Sequence, residues 1–237
     1  MKKMTSALLL VGLTVSVAEA APSHVRRDGA NGYNVTYNYT DKEKNGWYGT
    51  IRAQLNFLNW KNTYYSDDVG YKGEDKYSFE PVFGGSLAVG KKFGYFWRGE
   101  LELGYGGQFS DSGQGFEFKF STPYALVNAY YDFNSGLYLG GGLGAAMPMQ
   151  KLSWSGFKDG DLDKMGFSPM AGLMFGYTHK LDDSFVIDLR YRIAGWNGIK
   201  DSGIFVEDVA PYAEHYLETK IGLVLENSVS VGLRYEF

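Results

Sequence analysis

The sequence predicts an all-β protein: an eight-stranded antiparallel up-and-down barrel that crosses a membrane with its strands. Three observations predict it. The N-terminus carries the pattern of a secretory signal, most of the remaining chain alternates apolar and polar residues with a period of two, and the connections between these runs alternate short and long.

Met1-Lys2-Lys3 supplies positive charge, Ala7 through Val17 an apolar run, and Ala18-Glu19-Ala20 a small-residue cleavage pattern, the parts of a secretory signal in their proper order. That run is too short for a membrane-spanning helix, and no later stretch approaches about 18 uninterrupted apolar residues. Residues 1–20 are therefore expected to be a removable signal peptide. Residues 21–45, polar and rich in Asn and Gly, are expected to form a periplasmic N-terminal segment, and residues 46–237 one barrel domain, a size that all-β domains commonly reach. Loss of Lys2, Lys3 and Glu19 takes the formal charge from −4 to −5, a mild acidity that argues against nucleic acid as a partner. With no cysteine, stability outside the reducing cytoplasm has to come from burial and backbone pairing. The 32 Gly, 19 Tyr, 16 Phe and 5 Trp beside only 6 Pro suit strands and tight turns better than helices. Mean hydropathy, −0.27, resembles that of a soluble protein, but a membrane barrel also averages low because only alternate strand residues meet lipid. Periodicity has to decide.

From Gly46 the odd positions read Trp47, Gly49, Ile51, Ala53, Leu55, Phe57 and the even ones Tyr48, Thr50, Arg52, Gln54, Asn56, so the two sets lie on opposite faces of a strand. The same parity returns at Phe83, Gly85, Leu87, Val89, and at Trp97, Gly99, Leu101, Leu103, Tyr105 with Arg98, Glu100 and Glu102 between them. Leu137 to Ala145 and Ala171 to Tyr177 follow it; Phe185, Ile187, Leu189, Tyr191, Ile193 oppose Asp188, Arg190, Arg192; Val229 to Phe237 oppose Ser230, Gly232, Arg234, Glu236. Between Tyr124 and Phe133 both faces are mostly apolar, and Ala125, Val127, Ala129, Tyr131 and Phe133 are assigned outward by analogy.

Short connections fall at Lys91 to Tyr95, Asn134-Ser135 and Leu181 to Ser184; long polar ones fall near Lys61 to Tyr77, Ser110 to Gln114, Lys151 to Gly166 and Asn197 to Glu214. Because membrane barrels of bacteria have short periplasmic turns and longer external loops, three turns and four loops give eight strands. Aromatic girdles are expected on the turn side from Phe93, Tyr95, Phe96, Trp97, Phe133 and Phe237, and on the loop side from Phe57, Trp60, Phe109 and Trp196. A ten-stranded alternative adds a strand at Tyr33 to Tyr39 and folds the last run at Glu226-Asn227. A soluble barrel or sandwich with the two faces exchanged also alternates, and alternation alone does not say which face points inward.

Val229, Val231, Leu233, Tyr235 and Phe237 alternate with Ser230, Gly232, Arg234 and Glu236 up to a final Phe. This resembles the signal by which the barrel-assembly machinery recognises its substrates. With the signal peptide and strand plan, the chain from about Gly46 to Phe237 resembles the OmpA-like and opacity-protein-like superfamily of small eight-stranded barrels. The resemblance implies location in the outer membrane of a Gram-negative cell, contact with outer-membrane lipid, and the barrel-assembly machinery and periplasmic chaperones as partners during biogenesis. It implies fold and place more firmly than activity.

If the odd face meets lipid, Arg52, Gln54, Arg98, Glu100, Glu102, Asp188, Arg190, Arg192, Arg234 and Glu236 point inward. Eight strands leave an interior just wide enough for side chains, so these groups are expected to pair and plug the lumen; a narrow porin-like channel is the alternative. A lipid A-modifying enzyme is a third reading, and the three histidines bear on it. His24 falls in the N-terminal segment and His179 just before a turn, while His215 beside Glu214 has no local serine motif to serve. No catalytic residue is assigned. Gly140-Gly141-Gly142 has no helix pattern after it and is not a phosphate loop, and Lys158 to Asp163 lacks the downstream Glu of a calcium loop. No cofactor or metal is expected. The expected role is structural or surface-interacting, through four external loops whose ligand the sequence does not name.

Overall fold

The computed structural model describes residues 46–66, 71–113, 116–154, 161–206 and 214–237. The expected signal peptide (1–20), N-terminal segment (21–45), the additional strand at Tyr33 to Tyr39 and the first half of the Lys158 to Asp163 stretch lie outside them. In chain order the strands are β1 (Trp47–Ser66), β2 (Tyr71–Phe93), β3 (Trp97–Gly113), β4 (Phe116–Asp132), β5 (Leu137–Ala146), β6 (Met149–Trp154), β7 (Asp161–Met165), β8 (Ser168–Lys180), β9 (Phe185–Asn197), β10 (Lys200–Val206), β11 (Glu214–Ile221) and β12 (Leu223–Glu236).

Eight of them close a ring. Antiparallel pairing runs β1-β2-β3-β4-β5-β8-β9-β12, and β12 pairs back onto β1 through Tyr48↔Glu236 to Asn59↔Leu225. Every ring strand therefore has a partner on both sides, which removes the edges that an open sheet leaves for other chains. β12 passes straight through Glu226 and Asn227, bonded to β9 on one side and β1 on the other. No hairpin forms there, which overturns the ten-stranded alternative.

The parity of the sequence survives as geometry. In β12 the exposure pattern alternates without a break, and on the exterior Ile51 (59%), Phe83 (82%), Leu143 (71%) and Leu173 (71%) stand open while Arg52, Glu102 and Asp188 inside are sealed. A barrel with an apolar outside and a charged inside suits lipid, not water, so the exchanged-face soluble barrel is excluded. Ala125, Val127, Ala129, Tyr131 and Phe133 do face outward, with Tyr124, Leu126, Asn128 and Tyr130 buried between them.

The turns on one side are tight. Gly94 (φ 71°) and Gly136 (φ 84°) take the left-handed conformation that lets the chain reverse in so few residues, and Asp182 accepts the N–H groups of Ser184 and Phe185 at 2.7 Å each. The long connections on the other side are not loops for most of their length. β1 has 20 residues and β2 has 23, against the roughly 9–11 a tilted strand needs to cross a bilayer, so their upper halves continue as a ribbon. β6 with β7, and β10 with β11, form two more such ribbons on this side. Pairing satisfies backbone groups that an irregular loop would leave to water.

Two bulges then shift the parity on the loop side. Between Tyr105 and Gln108 β3 carries one residue more than β4, with Gly107 at φ 96°; between Leu58 and Trp60 the extra residue lies on β2, where Phe79 has φ 57°. A bulge exchanges the faces of everything beyond it. Phe109 and Tyr77, odd-numbered and so expected outward, are turned in against Trp60, with ring centroids 5.0 and 4.6 Å from it. Trp60 and Trp196 are themselves buried: both occupy even, inward positions. The loop-side girdle therefore loses Trp60, Phe109 and Trp196 and keeps Phe57, which is half-buried; Phe79, Phe83 and Phe167 are among the exposed rings there. On the turn side Phe93, Tyr95, Phe96, Trp97, Phe133 and Phe237 are exposed as expected.

Candidate functional site: the barrel interior

Inward residues of β1, β3, β4, β9 and β12 meet on the barrel axis because their strands are in register. Arg52 forks onto Glu100, Nη1 to Oε1 at 2.9 Å and Nη2 to Oε2 at 2.8 Å, and its Nη2 also donates to Asp188 at 3.1 Å. Arg190 does the same to Glu102, at 2.7 and 2.8 Å. Such bidentate pairs use the planar fork of guanidinium and are the strongest of protein ion pairs in geometry. Glu102 also accepts from Asn128 at 2.9 Å, Tyr124 at 3.0 Å and Arg192 at 3.4 Å. Arg192 reaches on to Glu226 at 2.6 Å and Gln54 at 3.2 Å.

Toward the turn side, Arg98 donates to Asp132 at 2.9 Å and lies between the rings of Tyr130 and Tyr138, 4.1 and 4.4 Å from their centroids, where the negative ring faces stabilise the cation. Arg234 donates to Asp188 at 3.3 Å, and Lys92 to Glu236 at 2.7 Å. Every cation named here thus has a carboxylate, and every carboxylate a cation, which is the condition for burying charge at all.

Glycines make the room. Tyr48, Tyr124, Tyr130 and Tyr138 are the direct cross-strand partners of Gly90, Gly104, Gly140 and Gly176, and each ring lies where a Cβ on its glycine would stand. Three of the phenols so placed enter the network: Tyr124 on Glu102, Tyr130 on Glu100, Tyr138 on Asp188. Above the charges, toward the loops, Leu58, Trp60, Phe118, Phe120, Trp196 and Val224 form an apolar layer, each 3% exposed or less.

All ten residues expected in the interior lie there, buried. Sequence reasoning missed Lys92, Asp132, Glu226 and the four tyrosines. All have even, inward parity, but Lys92 falls in a run that reads as a turn, Asp132 ends a strand with both faces mostly apolar, and Glu226 sits where the alternative hairpin would fold. Val229, Val231, Leu233, Tyr235 and Phe237 all face outward on the β12 side. His179 is exposed and His24 lies outside the described residues, as does the side chain of His215. Among the described residues no group of three or more His, Asp or Glu is arranged to hold a metal ion.

No protein-family model matches the sequence, and no curated protein matches it either. Solved structures do. They include the outer membrane protease OmpT from Escherichia coli, 11% identical, with 81% of this chain and 97% of that chain covered at a TM-score of 0.50. The outer membrane protein OprG from Pseudomonas aeruginosa is 14% identical, with 83% and 98% covered at 0.48. Ail, the attachment invasion locus protein of Yersinia pestis, is 17% identical, with 82% and 99% covered at 0.45. Identities this low speak to the fold alone, and the closed ring, with the likeness to OmpT, gives the chain the fold of the outer-membrane β-barrels.

Proposed function

We propose that the protein is a non-conducting outer-membrane barrel of a two-membrane bacterium, a rigid plugged pedestal that presents its loop-side ribbons for surface interaction. The observation that carries this reading is the interior: an ion-paired charge network across six strands, capped by an apolar layer, occupies the space through which ions would pass. An eight-stranded barrel has no room to spare beyond its own side chains. Outer-membrane lipid is the partner of the apolar exterior. The outward row Val229, Val231, Leu233, Tyr235 and Phe237 is the segment offered to the barrel-assembly machinery, with periplasmic chaperones carrying the chain to it. OmpT's protease activity is a property of that protein. Planar-bilayer recording of purified protein tests the proposal. No sustained current is expected, and steady ion-selective current that Arg190→Ala changes without loss of stability would replace it with a channel.

A further inference from the structure

On the exterior, where β1, β2 and β12 meet at the loop-side edge of the apolar belt, there is a notch of about 520 Å³. Two lysines and one glutamate, Lys61, Lys76 and Glu74, line it, a net positive charge. Lys61 and Lys76 are direct cross-strand partners on the outer face, an arrangement in which like charges repel. Lys61 is answered by Glu74, while Lys76 makes no ion pair among the described residues. Lys220 on β11, two residues along from the level of Lys61 at Thr63↔Lys220, adds a third exposed ammonium to the same face. The wall beside these charges is apolar: Phe79 and Leu223 are exposed at 67% and 57%.

Phe79 is the second observation. It is the single non-glycine among the described residues with positive φ, 57°, a conformation that side chains other than glycine rarely adopt and that tends to persist where function requires it. Asn59 holds it there, its Oδ1 accepting the Phe79 N–H at 3.1 Å. The bulge thus spends backbone strain to stand an aromatic ring outward under a pair of lysines.

We propose that this notch binds one phosphorylated, acylated lipid of the outer leaflet, its phosphate between Lys61 and Lys76 and the first part of an acyl chain against Phe79 and Leu223. An ammonium pair beside an apolar wall matches an amphiphile with an anionic head, and the notch lies where the outward row of β1, Ile51, Ala53, Leu55 and Phe57, gives way to Lys61. The site rests on the membrane placement given above.

The test is a titration of detergent-solubilised protein with bis-phosphorylated lipid A and with the same lipid dephosphorylated, read by native mass spectrometry. The phosphorylated lipid should bind about tenfold tighter or more, a preference that salt weakens. Lys61→Gln with Lys76→Gln should abolish the preference. Phe79→Gly should weaken both lipids while leaving the heat-shifted gel band, the sign of the folded barrel, at least as stable, because glycine relieves the strained φ. Equal binding of the two lipids by wild-type protein, or full competition by equimolar inorganic phosphate, would overturn the site while a heat-shifting barrel leaves the membrane reading standing. Loss of the heat shift in wild-type protein would instead sink the membrane reading.

Discussion

Replacing Glu102 by alanine should destabilise the barrel more than replacing its main partner, Arg190, and the reason lies in the count of neighbours. Glu102 receives Arg190 at 2.7 and 2.8 Å, Arg192 at 3.4 Å, and stands 3.8 Å from Arg52. Without it, Arg52 keeps Glu100 and Asp188, and Arg192 keeps Glu226, but Arg190 is left buried with no carboxylate. Leaving one member of a buried pair uncompensated costs about 3–5 kcal/mol. Arg190→Ala leaves Glu102 with two other guanidiniums, so its cost should be nearer the roughly 1–3 kcal/mol of unsatisfied buried groups. The double variant removes both charges, and the two losses should fall short of additivity by about 1–3 kcal/mol. Urea unfolding in lipid vesicles of wild type, both singles and the double closes the cycle. Additivity within about 0.5 kcal/mol would show that the pair is not coupled, and equal losses from the two singles would refute the central place given to Glu102.

The folded protein should migrate differently on SDS gels before and after boiling, because closed strands leave no edge from which detergent can open the sheet; identical bands would count against closure. Arg introduced at Leu143, which faces lipid, should cost roughly 2–4 kcal/mol of folding free energy in vesicles, and much less at Thr178, whose side chain lies by the polar mouth. Equal costs would mean the faces are reversed. Gly104→Ala should lower the urea midpoint by pushing the Tyr124 ring off its place, at about 1–3 kcal/mol for overpacking, and an unchanged midpoint would show that the ring does not need that space.

The fold was legible because parity is a local property. Each run of odd apolar residues sets two faces without reference to any other run, and the lengths between runs set the strand count. What stayed hidden depends on pairing. That Arg52 meets Glu100 and Arg190 meets Glu102 follows from the stagger of strands 48 and 88 residues apart in sequence, which no local pattern encodes. The bulges at Phe79 and Gly107 were hidden for a related reason: an extra residue on one strand is visible only against its partner. They invert parity where Tyr77 and Phe109 sit, and so sequence reasoning placed Phe109 in an outer girdle when it belongs to an inner lid.

Why the interior is ionic at all needs an answer, since an apolar filling of the same shape often proves no less stable than buried ion pairs. The exterior already has to be apolar to meet lipid. Were the interior apolar too, the two faces of each strand would be chemically alike, and slipping a strand by one residue, which exchanges its faces, would cost little. With Arg52, Arg98, Arg190, Arg192 and Arg234 inside, the same slip carries arginines into hydrocarbon at about 2–4 kcal/mol each near the midplane, and less toward the interfaces. It also strands their carboxylates. A slip of β9 alone moves Arg190 and Arg192 out, so the penalty for that one strand is of the order of the whole stability of many domains. The tyrosine-over-glycine pairs act in the same direction, since a one-residue slip takes Tyr124 from Gly104 to Leu103 or Tyr105. Charge and shape together thus fix which face is inside and which residue stands opposite which, and a barrel closed in that single register is the rigid support that the loop-side ribbons require.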